Sequence, residues 1–165
     1  MTRSVSKVYE LVIFDCDGVL VDSEPIANRL FAEMLTGEGL ALTTSETMRR
    51  YMGRSFASCC ELIEAELGRP LPAGFFAELR ERTLRAFRHE LRRVEGVGDV
   101  LDQLSTPVCV ASSSAHDWLR LALETTDLIS RFEGRIFSAY DVKRGKPAPD
   151  LFLHAAQGMG AAPER

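Results

Sequence analysis

Asp15 and Asp17 stand one residue apart at the end of the apolar run Leu11-Val12-Ile13-Phe14, and Gly18 follows at once. If residues 11–14 form a buried strand, side chains repeat every second residue, and both carboxylates leave its carboxyl end on one side. Paired acids so placed can hold a divalent cation through oxygen, the ligand type that Mg2+ prefers. They can also divide nucleophilic and proton-transfer work between them. Gly18 permits a sharp exit because it tolerates positive φ. The plain alternative is a strand that ends in an acidic turn. Two later segments argue against it. Ser112-Ser113-Ser114 follows a second apolar run at a predicted helix start, where hydroxyls and unpaired amides suit an anion. By itself that cluster reads as helix capping. Lys146 lies between Gly145 and Pro147 in a loop whose prolines, Pro147 and Pro149, stiffen the backbone just before another helix. By itself it reads as a basic surface loop. Taken in order, the three segments form a set, because ligands of open parallel sheets bind outside the carboxyl ends of the strands.

The elements that must position these residues follow from periodicity. Residues 7–21 read as a strand and its turn. From Glu24 to about Glu90 the pattern is helical. Ile26, Leu30, Phe31, Met34 and Leu35 mark a first helix ended by Gly37 and Gly39. Thr43 and Glu46 form a capping-box pattern for a second. A third begins at Ser55 with Phe56, Cys59, Leu62, Ile63 and Leu67 as its apolar stripe. A fourth runs over about 73–90, with Phe76, Leu79, Leu84 and Phe87 as its buried positions. After Gly96 and Gly98 the pattern changes to a helix over 99–104, a strand over 107–111, and a helix through Trp118, Leu119 and Leu123. A strand over 135–138 and a helix over 150–157 complete it. Strands alternating with helices predict an α/β fold with a Rossmann-like parallel sheet. The helical stretch interrupts that series and reads as an inserted helical-bundle cap: the core is expected at 1–21 and 93–165, and the cap at 22–92. Trp118 and Phe132 are expected in the core. Asp22 and Glu24 read as helix-start residues.

The bulk numbers fit this reading. A chain of 165 residues with 45% apolar and 27% charged positions has the composition of an ordinary globular protein. Its net charge of −4 gives no general attraction for nucleic acid. No apolar run reaches a membrane span, and the first residues lack a hydrophobic export segment, so a cytoplasmic protein is expected. Cys16, Cys59, Cys60 and Cys109 show no C-x-x-C spacing, which leaves neither a zinc framework nor a disulfide scaffold. His89, His116 and His154 occupy helical or capping contexts, and none pairs with a plausible Ser or Cys nucleophile. Asp141 is placed to orient Lys146, although an ordinary loop acid is the simpler account.

The segments Phe14 to Pro25, Val110 to Ser114 and Lys146 to Phe152 resemble the haloacid dehalogenase superfamily. Within it they resemble the branch with a small helical cap, which holds β-phosphoglucomutase and the phosphoglycolate and 6-phosphogluconate phosphatases. The resemblance implies that Asp15 is a nucleophile forming an aspartyl-phosphate and that Asp17 is the general acid and base. It implies that Ser112, with Ser113, and Lys146 bind phosphate and stabilise charge. It further implies Mg2+ on the Asp15 carboxylate and the Asp17 backbone carbonyl. The implied activity is a Mg2+-dependent phosphatase of small phosphorylated metabolites, sugar phosphates or sugar-acid phosphates. The alternatives are a sugar-phosphate mutase and a catalytically incomplete fragment. The true dehalogenases lack the second acid, so Asp17 favours phosphoryl chemistry. The mutases carry a histidine where this chain has Ala27, which favours hydrolysis. Arg54, beside Gly53 in a basic junction between two cap helices, is a candidate to meet a second anionic group, since guanidinium binds carboxylate or phosphate in two-pronged fashion. A solvated helix end explains it equally well.

One departure shapes the expectations. The family's last motif, an apolar strand ending in two acids, has no counterpart before Arg165, where Glu164 is the only nearby acid. The expectation is a truncated fragment with weak Mg2+ binding and negligible turnover. It would be a monomer or weak homodimer, associating through the sheet edge beside the first strand.

Overall fold

In this computed structural model, which describes residues 9–54 and 56–163, the apolar runs around Asp15, Ser112 and Ser138 become three short strands. In chain order the elements are β1 (Val12–Phe14), α1 (Glu24–Gly37), α2 (Thr44–Tyr51), α3 (Phe56–Leu67), α4 (Phe75–Glu90), α5 (Val97–Gln103) and β2 (Val108–Ser112). They are followed by α6 (His116–Thr125), α7 (Ile129–Phe132), β3 (Ile136–Ser138), a 3-10 turn (Ala139–Asp141) and α8 (Asp150–Gly158). The predicted starts at Lys7 and Ser55, the side chain of Phe56, and Glu164 lie outside the described residues. The chain divides into two compact units, residues 1–22 with 92–165, and residues 23–91.

The first unit is a parallel sheet of order β1-β2-β3. Val12 lies opposite Val108, Phe14 opposite Val110, and Ser112 opposite Ser138. Parallel neighbours need long crossovers, and helices supply them. Central β2 is the most buried strand, with Cys109, Val110 and Ala111 wholly enclosed, as a strand covered on both faces must be. Period-two alternation sends Cys109 and Ala111 to one face, where Leu151 and Ala155 of α8 complete a core with Ile13 and Phe137 around it. Phe14 and Val110 share the other face, and the Phe14 ring meets Phe132 of α7 edge-on, with centroids 6.3 Å apart. β1 pairs with β2 alone among the described residues. The two passages of chain between the units run side by side, with Asp22 N donating to Arg92 O at 2.9 Å and Val94 N to Leu20 O at 3.0 Å.

The second unit is helical, and no strand occurs among its described residues. The capping box on α2 forms in both directions: Glu46 N donates to Thr43 Oγ1 at 3.2 Å and Thr43 N to Glu46 Oε2 at 2.9 Å. Met34, Leu35, Tyr51, Cys59, Ile63 and Phe75 form its core. Two predicted stripes need correction. Leu62 is exposed, lying one position off the line through Cys59 and Ile63. On α4 the buried positions are Phe75, Thr83 and Phe87, while Phe76, Leu79 and Leu84 are half-buried. The stripe passes through a threonine because Thr83 Oγ1 donates to the Leu79 carbonyl at 2.8 Å, which satisfies its hydroxyl inside the core. No described helix is long and apolar enough to cross a membrane.

The seat of α8 on the sheet depends on a missing side chain. A Cβ at Gly158 would fall 2.5 Å from the ring of Phe137. The Gly158→Ala substitution is therefore expected to destabilise the first unit by about 1–3 kcal/mol, the range for overpacking a filled core. A lowered urea midpoint with an unchanged m-value checks this.

Candidate active site

β1 ends at Phe14, and the chain then wraps around one carbonyl. Cys16 O accepts from Val19 N at 3.3 Å, Leu20 N at 2.9 Å and Val21 N at 3.1 Å. Gly18 occupies the left-handed region at φ 71°, which closes the turn where a side chain would be strained. The turn buries Cys16 completely between the two acids. Burial, and then the charges of Asp17 and Asp15, push its thiol well above the usual cysteine range, so it stays protonated and inert.

Asp15 is fixed at both oxygens. Oδ1 accepts from Cys16 N at 2.8 Å, and Oδ2 meets Lys146 Nζ at 2.7 Å. Lys146 is 22% exposed and Asp15 41%, so solvent screens the pair from the aspartate side. Lys146 comes from the loop between β3 and α8. The Lys146-Pro147 peptide is cis, Ala148 N donates to Gly145 O at 3.0 Å, and Nζ sits 5.3 Å from the centroid of the Phe152 ring. Arg144, in the same loop, is engaged elsewhere, pairing with Asp150 at 2.8 Å on the surface.

Asp17 turns to the β2–α6 junction. Its Oδ2 accepts from Ser114 Oγ at 2.7 Å and its Oδ1 from Trp118 Nε1 at 3.1 Å. Capping does not account for the serine cluster: the N-cap of α6 is Ala115, with no side-chain cap. Ser112 is 2% exposed, and its Oγ accepts from Ser114 N at 3.2 Å. Ser113 is exposed. Ser138, at the end of β3, donates from Oγ to the Ser114 carbonyl at 2.7 Å.

Thus Asp15, Asp17, Ser112 and Lys146 belong to one end of one sheet, as the carboxyl ends of β1 and β2 dictate. Gly53 and Arg54 belong to the helical unit. There Gly53 takes φ 76°, and Arg54 Nε donates to the Arg50 carbonyl at 2.6 Å, the behaviour of a helix-end residue. Two expectations change. Trp118 is half-buried and reaches Asp17, because the first turn of α6 lies over that acid. Asp141 does not orient Lys146. Its Oδ2 accepts from Ser138 N at 2.8 Å and its Oδ1 from His116 Nε2 at 2.8 Å, which closes the 3-10 turn. Spacing along the chain carried no sign of the Trp118–Asp17 or His116–Asp141 contacts, which join segments distant in sequence, whereas the Ser138–Asp141 cap is a local Ser-x-x-Asp pattern.

No group of three or more His, Cys, Asp or Glu side chains suited to a metal occurs among the described residues. The two aspartates supply hard oxygens, and Mg2+ commonly takes one or two carboxylates with water and substrate phosphate completing its shell. The donor set fits that ion.

Comparison with known proteins shows what the chain as a whole is similar to. The family model described as haloacid dehalogenase-like hydrolase matches residues 9–165. The 6-phosphogluconate phosphatase of Escherichia coli strain K12 is 35% identical over 152 residues, covering 91% of this chain and 68% of that protein. A conserved haloacid dehalogenase-like protein of unknown function from Agrobacterium tumefaciens superposes with a TM-score of 0.87 at 34% identity, covering 96% of this chain and 72% of that one. A HAD family hydrolase from Deinococcus radiodurans, solved with bound phosphate and sodium, superposes at 0.77 with 30% identity, covering 95% and 70%.

The His116–Asp141 contact generates a pH prediction. Burial raises the Asp141 carboxyl, but hydrogen bonds from His116 and from Ser138 N, with the charges of His116 and His154, bring it below its usual 3.8. A carboxyl lowered in the folded state contributes stability above its unfolded value, and that contribution vanishes as pH falls through the folded value. In His116→Ala, Asp141 is expected to titrate at higher pH, seen as a shift of its side-chain carbon resonance in an NMR titration.

Proposed function

The chain belongs to the haloacid dehalogenase-like hydrolases, and from that membership we propose that it is a Mg2+-dependent phosphatase of sugar and sugar-acid phosphates acting through an aspartyl-phosphate. It is a phosphoric monoester hydrolase of that family. The observation that carries the finer reading is the 2.7 Å contact between Lys146 Nζ and Asp15 Oδ2, with Asp17 held beside it by Ser114 and Trp118.

In the proposed reaction an Asp15 oxygen forms a bond to phosphorus as the bond to the substrate's bridging oxygen breaks. Asp17 delivers its proton to that departing oxygen. It then takes a proton from the water that attacks the aspartyl-phosphate, restoring Asp15 and releasing phosphate. Lys146 neutralises charge on the non-bridging oxygens, where phosphoryl transfer gains most from fixed cations. The Ser112 hydroxyl and the amides that follow it offer donors to the same oxygens. The Asp15 carboxylate and the Asp17 backbone carbonyl would hold Mg2+, which supplies further positive charge to the transferring group.

A sugar-acid phosphate is the favoured substrate class. The segment from Phe137 to Pro147 is similar to that of phosphatases of this type, and the 35%-identical relative is named for 6-phosphogluconate. Ala27, where the mutases carry histidine, supports release of phosphate to water over its return to sugar. Four free cysteines suit the reducing cytoplasm that we assign to it.

A phosphate-release screen over sugar phosphates, 6-phosphogluconate and phosphoglycolate tests this reading. In a form of the protein that also carries the family's last acidic motif, turnover is expected with Mg2+ and lost on chelation. Asp15→Asn is expected to abolish it with the fold intact by circular dichroism, and Lys146→Ala to lower kcat by about a hundredfold, as for loss of one charge-stabilising donor. Retained turnover in Asp15→Asn would remove the nucleophile and with it the mechanism.

A further inference from the structure

Asp17 is gripped more firmly than proton transfer alone requires. Ser114 Oγ donates to its Oδ2 at 2.7 Å and Trp118 Nε1 to its Oδ1 at 3.1 Å, so one donor meets each carboxylate oxygen. Neither donor is loose. Ser114 is pinned through its amide to Ser112 Oγ at 3.2 Å and through its carbonyl to Ser138 Oγ at 2.7 Å, and both of those serines are buried. Trp118 stands in the first turn of α6, next to wholly buried Leu119.

We propose that Ser114 and Trp118 are positioning residues that clamp the Asp17 carboxyl for proton transfer to the leaving oxygen. The proposal rests on the role assigned to Asp17 above. A short acidic side chain at an exposed turn samples several rotamers. Two donors from one rigid helix start select one and remove that entropy before the reaction begins. The chemistry of the donors suits the task. An indole N–H donates but cannot accept, so Trp118 holds the carboxyl without competing for the catalytic proton. A carboxylate has about four acceptor directions, so two donors can hold it without preventing its protonation. A tryptophan serving only to fill the core would have no reason to place its one polar atom on an acid of the nucleophile's own turn.

The test uses two substrates whose leaving groups differ. The alkoxide of 6-phosphogluconate needs a proton to depart, whereas the nitrophenolate of p-nitrophenyl phosphate departs without one. In Trp118→Phe and in Ser114→Ala, kcat/KM for 6-phosphogluconate is expected to fall by about tenfold, a fraction of what a whole general acid contributes. For p-nitrophenyl phosphate it should stay within roughly twofold of the parent. Equal losses on both substrates, or no loss on either, overturn the proposal. A second measurement needs no turnover. Trp118 is the single tryptophan of the chain, so its indole N–H band in ultraviolet resonance Raman spectra reports this contact alone. The band is expected to shift in Asp17→Ala and to hold in Asp15→Ala, and an unshifted band in Asp17→Ala removes the clamp. A parent protein inactive on every phosphate ester, yet showing the Raman shift, would sink the phosphatase reading and leave the clamp standing.

Discussion

Two carboxylates one residue apart on a single turn repel each other, and the arrangement is tenable only if the surrounding structure answers both charges. Lys146 answers one, at 2.7 Å from Asp15, and the donors of Ser114 and Trp118 answer the other. Most of the first unit serves that balance. β1 delivers the acids, β2 ends in the serines, and the loop after β3 brings the lysine back over the strand ends. Lys146 gives the Asp15 carboxylate a cation, and Ser114 and Trp118 give Asp17 neutral donors, so neither acid relies on solvent alone. The cation and the donors are thus as structural as they are chemical.

The scaffold behind the site is correspondingly tight. Cys16 is sealed beneath the acids, α8 rests against the ring of Phe137 through Gly158, and Phe132 closes the opposite face against Phe14. The site's side chains leave this scaffold close to buried positions: Cys16 lies between the two acids, and Ser112 is itself 2% exposed.

Much of this was legible beforehand, for identifiable reasons. The apolar runs ending in acids or serines read as strands because a strand enclosed on both faces needs an unbroken hydrophobic run. The Thr43–Glu46 box read as a helix start because both halves of its hydrogen bonding are local. What went unread was non-local or marginal. α7 and the 3-10 turn are too short for periodicity to reveal. Thr83 looked polar and therefore outward, yet its hydroxyl is satisfied by its own helix. Trp118 looked like core because an aromatic in an amphipathic helix usually is, and Asp141 looked near to Lys146 because it is near in sequence.

The sequence by itself determined the chemistry on offer: which acids, hydroxyls and cation exist, in what order, and at the ends of which strands. Those properties are local, written in residue type and a period of two. Only the tertiary structure decided who meets whom. Strand order brought Ser138 against the Ser114 carbonyl, 24 residues away, and the first turn of α6 over Asp17, whose contacts with Ser114 and Trp118 span 97 and 101 residues. No spacing rule along the chain encodes such a meeting, because it is set by how the sheet pairs and how its helices pack.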